Sequence, residues 1–110
     1  MIAPLRLGMR RKFRPEAQLP IELELQREKA SALRRVGVRL EQLIAELARL
    51  EKEIAAATGV ERTRRVARHA ALRREAEEQR WKMIVQREAM GLKRHEEVDR
   101  HYPLPSPIRE

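Results

Sequence analysis

Residues 33–54, LRRVGVRLEQLIAELARLEKEI, decide the fold of this chain. Leu33, Val36, Leu40, Leu43, Leu47, Leu50 and Ile54 follow one another in unbroken steps of three and four. That spacing keeps one stripe of a helix apolar and is the signature of a coiled-coil seam. Charged residues stand off the stripe: Glu41, Glu46, Arg49, Lys52 and Glu53. Arg49 and Glu53 are four apart, where opposite charges support a helix. Gly37 is the one discordant residue. A glycine inside a helix costs about 1 kcal/mol relative to alanine, so it marks close approach by another backbone or has no role.

Upstream, Pro20 has the fixed φ that suits the first turn of a helix. Ile21, Leu25 and Ala32 project onto the side of the seam, so the stripe is expected to run back to the helix start. Downstream, Ala55-Ala56-Ala57-Thr58-Gly59-Val60 ends the helix, with Gly59 placed for a left-handed cap. Two helices, about 21–58 and 60–91, are therefore expected. A connection this short makes them antiparallel neighbours. Counting outward from Gly59 sets Ile54 opposite the Val66 region and Leu33 opposite Val85.

The second helix carries two apolar faces on nearly opposite sides. Leu72, Ala76, Met83 and Met90 form one, with His69, Gln79 and Gln86 between them; Val66, Ala67, Ala70, Ala71, Trp81, Ile84, Val85 and Ala89 form the other. A two-helix hairpin covers only one of these. Either the second is an exposed partner interface carrying the only Trp, met by self-association into a four-helix bundle or by another protein, or the seam drifts and the remainder is scattered surface. Val66, Ala70, Trp81, Ile84 and Val85 are the candidate interface residues.

The rest of the chain is organised around this hairpin. Residues 1–20 are a basic arm, expected to be extended, holding Arg6, Arg10, Arg11, Lys12 and Arg14 against Glu16 alone. Pro4 and Pro15 break the amphipathic helix that an organelle targeting peptide needs. Residues 92–110 are expected to hold a short helical piece, Leu92 to Tyr102, and a tail with Pro103, Pro105 and Pro107 at alternate positions. Such a run is extended and cannot join a bundle as a helix. It lies along a partner, along the hairpin, or is disordered. The fold class is thus all-α: an antiparallel two-helix coiled-coil hairpin with a basic arm and a Pro-rich tail, its thin core completed by oligomerisation or a partner.

Composition agrees with long helices: 38% of residues are charged and 3% aromatic in a chain of 110. A net charge of +8, from 25 Lys and Arg against 17 Asp and Glu, favours an anionic partner. The excess sits in the arm and in the half of the second helix nearest the tip, where Arg62, Arg64, Arg65, Arg68, Arg73 and Arg74 crowd together. Arg10, Arg11, Lys12, Arg14, Arg62, Arg64, Arg65 and Arg68 are the candidate contacts to an RNA or DNA backbone, which they would neutralise rather than read. The alternative is a solvated basic face. Stacking aromatics are missing, which points away from single strands.

Other classes are excluded more simply. With no cysteine there is no disulfide framework and no thiolate. No apolar run is long enough to span a membrane, so a cytoplasmic protein is expected. A peripheral membrane role for the arm, through Ile2, Leu5, Leu7 and Phe13, is a third and less favoured reading, because the arm has two prolines and few apolar anchors. His95, Glu97, Asp99 and His101 resemble a metal cluster, but the two histidines are six apart, not at the four-residue spacing of helical zinc sites; no metal and no other cofactor is expected. His69 reads as a seam or surface residue. No glycine-rich phosphate loop exists and no nucleophile sits beside a base, so neither enzymatic activity nor a small-molecule substrate is expected.

In shape and charge the hairpin resembles the tRNA-binding helical arm of some aminoacyl-tRNA synthetases. Hairpins that enter the secondary channel of RNA polymerase carry acids at the tip, whereas this tip, Thr58-Gly59-Val60-Glu61-Arg62, has one acid among arginines. The expected function is a non-catalytic binding or adaptor subunit that meets an anionic partner. The alternative is a homo-oligomeric or assembly-linked coiled coil with no nucleic-acid role.

Overall fold

A computed structural model describes residues 19–109. Among the described residues three helices follow in order: α1, Pro20–Ala56; α2, Gly59–Ala89; and α3, Glu96–His101. The architecture is the all-α helical hairpin that the seam predicts, with no strand among the described residues.

The stretch 19–30 opens α1. Glu22 Oε1 accepts from the Leu19 amide at 3.0 Å, satisfying one of the donors a helix start leaves orphaned. Ile21 and Leu25, assigned to the stripe from their projection, are 72% and 55% exposed. The stripe is therefore not buried at the helix start, whereas Ala32 is half-buried. Periodicity says which side of a helix is apolar, not whether a neighbour reaches it.

From residue 31 onward the hairpin is built as the pattern requires. Leu40, Leu43 and Leu47 are fully buried, and Val36, Leu50 and Ile54 nearly so. Ala57 and Thr58 leave the helix, so α1 stops two residues before the expected end, and Gly59 takes φ +63° at the reversal. At the other end Gly91 has φ +89°. There the Leu92 amide donates to the Arg87 carbonyl at 2.9 Å and the Gly91 amide to that of Glu88 at 3.0 Å. This paired closure is a Schellman cap, and it ends α2 at Ala89 rather than at residue 91.

The two faces of α2 have different fates. His69, Leu72, Ala76 and Met83 pack onto α1. The register is close to that counted from Gly59, because Met83 comes level with Gly37 and His69 with Glu51. Val66 is half-buried, but Val85 does not pack at the contact: it is 44% exposed.

Three things complete the thin core. Val98 of α3 is 2% exposed, and Tyr102 and Leu104 pack against the same cluster. The Pro-rich tail therefore lies along the hairpin. Arg73 Nε donates to the Pro105 carbonyl at 2.7 Å, Arg80 pairs with Asp99, and Pro107 and Ile108 line a shallow hollow with Val66, His69 and Ala70. Gly37 is explained by this arrangement: the approach it permits is that of the Tyr102 side chain, not of a backbone.

Candidate functional site

The tip arginines are spread along the first turns of α2, and Arg64, Arg65 and Arg68 turn to carboxylates. Arg64 Nη1 lies 3.5 Å from Glu61, Arg65 Nε 3.2 Å from Glu53 and Nη1 3.1 Å from Glu61, and Arg68 Nη2 2.8 Å from Glu46. Arg62 is not without a partner either. Glu53 thus faces Arg65 across the hairpin, and not Arg49, as its four-residue spacing suggested. These pairs are largely exposed, so each adds at most about 1 kcal/mol of stability. Their effect on function is larger in kind: a phosphate would have to displace a glutamate already in place. Arg10, Arg11, Lys12 and Arg14 lie outside the described residues.

Further along, Arg39 Nε and Nη2 are each 2.8 Å from Glu75 Oε2, joining α1 to α2. This hydrogen bond, more than the charge alone, holds the Glu75 carboxyl below the usual glutamate range against the opposing effect of desolvation. The same bond raises Arg39. His69, 1% exposed, sits in the seam with Nε2 3.0 Å from Glu51 Oε2.

The candidate interface residues divide three ways. Val66 and Ala70 line the hollow shared with Pro107 and Ile108, so the chain's own tail meets them. Ile84 is half-buried. Trp81 and Val85 remain open to solvent, at 66% and 44%. Around Trp81 lie Arg74, Glu77, Glu78 and Lys82 on one side and Tyr102, Pro103 and Leu104 on the other. The role of the tail was beyond sequence reading, since its alternate prolines fix a conformation but not a destination.

The groups that resembled a metal cluster diverge. His95 Nε2 meets Glu88 at 3.1 Å, Asp99 meets Arg80, and His101 Nδ1 donates to the Glu97 carbonyl at 3.1 Å. Among the described residues no three such side chains converge. A hollow of about 440 Å³ is an open groove lined by Leu33, Gly37, Met83 and Val98, among others. No described helix is long and apolar enough to cross a membrane. No protein-family model, curated protein or solved structure matches the chain.

Proposed function

We propose that the chain is a non-catalytic helical-hairpin binding subunit that docks onto protein through the outward side of α2. One observation carries this reading. The hairpin's own seam is complete, with Leu40, Leu43 and Leu47 fully buried, yet its only Trp stands 66% exposed on the opposite side of α2 beside Val85. A large aromatic that the fold does not use is the usual anchor of an interface. Replacing Trp81 or Val85 by Glu tests it: the isolated chain keeps its helicity and melting temperature, while the subunit no longer co-purifies with its native assembly. A chain that assembles normally with both residues replaced overturns the reading.

Contact with an RNA or DNA backbone is the second reading, and the +8 charge supports it. The glutamates on Arg64, Arg65 and Arg68 weigh against it. A salt series decides. True phosphate contact gives an affinity that falls steeply with log salt, with a slope flattened by Gln at Arg62, Arg64, Arg65 and Arg68. No binding at low salt removes this reading and leaves protein docking untouched.

A further inference from the structure

The outward side of α2 carries a second seam. Val60, Arg64, Ala67, Ala71, Arg74, Glu78, Trp81, Val85, Glu88 and Leu92 follow alternating steps of four and three, and every one of them is exposed. The last stands beyond the left-handed cap at Gly91, where the chain has left the helix, so the stripe on α2 itself runs to Glu88. This is a heptad stripe about as long as the helix, on the back of the face that packs onto α1.

We infer that this stripe is a self-complementary interface: two copies of the chain pair through α2, antiparallel, about a two-fold axis passing between Arg74 and Glu78. The inference rests on the docking surface proposed above and names its occupant. In that register Arg74 faces the second copy's Glu78, Trp81 faces its Ala71, Val85 faces its Ala67 and Arg64 faces its Glu88. Each large apolar group meets a small or apolar one, and each charge meets its opposite. Two-fold symmetry gives every pairing twice.

Other arrangements lose this match. Parallel pairing in register sets Arg74 against Arg74 and Glu78 against Glu78. Sliding the antiparallel pair by one heptad places Trp81 against Arg64 or against Glu78. The free chain is also prepared for the pairing. Arg74 and Glu78 have no ion pair with each other or with any described residue. Arg64 and Glu88 do have partners, Glu61 at 3.5 Å and His95 at 3.1 Å, both at exposed positions where exchange is cheap. The tail runs along the flank of the helix, bonded to Arg73, and borders the stripe at Arg74 and Trp81, both of which stay exposed beside it.

Sedimentation equilibrium of the full chain tests the proposal. The expected result is a concentration-dependent dimer. Arg74→Glu and Glu78→Arg each weaken it by about tenfold or more, because each sets two like-charge pairs face to face, while the double exchange restores it. All these positions are exposed, so far-UV circular dichroism stays constant and separates association from folding. The chain has no cysteine, which gives a second readout. Mixed Ala67→Cys and Val85→Cys chains form a disulfide on oxidation, whereas either alone does not, since two copies of one position would lie about 27 Å apart at 1.5 Å per residue. A monomer at high concentration, or a dimer indifferent to the charge exchange, overturns the inference. A monomer that still needs Trp81 to enter its native assembly overturns the self-pairing alone and leaves the docking function standing.

Discussion

The hydroxyl of Tyr102 stands where a side chain at residue 37 would have to grow: a Cβ on Gly37 would come within 3.0 Å of it, and within 3.5 Å of Met83 Cε. A mid-helix glycine weakens α1 locally, and what it gains is the seat of the residue that leads from α3 into the tail. Gly37→Ala therefore combines two opposed effects, about 1 kcal/mol of recovered helix propensity and a displaced ring. The expected net change is small, and adding Tyr102→Phe releases the full propensity gain. Chemical denaturation of the four chains in this cycle measures it; additive effects would show that the two positions do not meet.

A bulkier residue at the same place acts on the tail. Gly37→Val is expected to unseat Tyr102 and, with it, Leu104. The only tyrosine and the only tryptophan line one hollow, so energy transfer from Tyr102 to Trp81 should fall, and protease should cut the tail sooner. Unchanged transfer would refute the coupling.

Core truncations should divide along a line that periodicity did not draw. Leu43→Ala or Leu47→Ala, at positions with no exposure, is expected to cost about 2–5 kcal/mol. Ile21→Ala, at 72% exposure, should stay within about 0.5 kcal/mol. Both positions fall on the same projected stripe. A loss at Ile21 comparable to that at Leu43 would restore the extended seam.

This contrast shows where the sequence was legible. The first seam was readable because seven apolar residues in one continuous register admit a single burial pattern. The reversal was readable because Gly59 takes a backbone conformation that other residues avoid. The packing face of α2 was not, since its more apolar side, with Trp81, Ile84 and Val85, faces away from α1 while His69 is buried. What decides the matter is non-local: Glu51 reaches His69, and Tyr102 and Leu104 arrive from the far end of the chain. The tip arginines were counted correctly, but their glutamates belong partly to the other helix and carry no local signature.

The Arg39–Glu75 pair predicts a pH dependence. Glu75 titrates below its ordinary value, so the native state binds fewer protons than the unfolded one. Its contribution is complete above that value and is lost as pH falls through the folded pKa. Denaturation midpoints measured from about pH 6 down to pH 3 should decline. Arg39→Ala and Glu75→Gln should each flatten that decline, and the double variant should flatten it no further than either alone. An acid limb unaltered by both replacements would show that the pair does not contribute.

Arg73 is expected to govern the tail. Its bond to the Pro105 carbonyl, at 2.7 Å from a side chain only 22% exposed, is charge-assisted, so Arg73→Ala should cost on the order of 1–2 kcal/mol. Arg73→Lys should recover little, because the same group also holds Glu77 through its second nitrogen at 3.0 Å. Hydrogen exchange along the segment after Tyr102 checks this directly, and protection equal to that of the native chain in both variants would contradict it.

The buried His69 admits a sharper test, because its two replacements should move stability in opposite directions. At 1% exposure it fills the seam, and its ring nitrogen lies 3.0 Å from Glu51, a carboxylate whose own side chain is 39% exposed. His69→Ala deletes the ring and opens a cavity between α1 and α2, for an expected loss of about 2 kcal/mol. His69→Leu keeps most of the volume and removes the cost of holding a polar ring in the seam. Ordinarily such a change strands the partner, and a buried polar group left unsatisfied is costly. Glu51 is open enough to be solvated instead, so water replaces the lost bond. The leucine variant should therefore be at least as stable as the native chain, since apolar replacements of buried polar pairs are often neutral or stabilising. Denaturation of the three chains gives the order directly. A leucine variant as weak as the alanine one would mean that the Glu51 bond, rather than the volume of the ring, holds this part of the hairpin together.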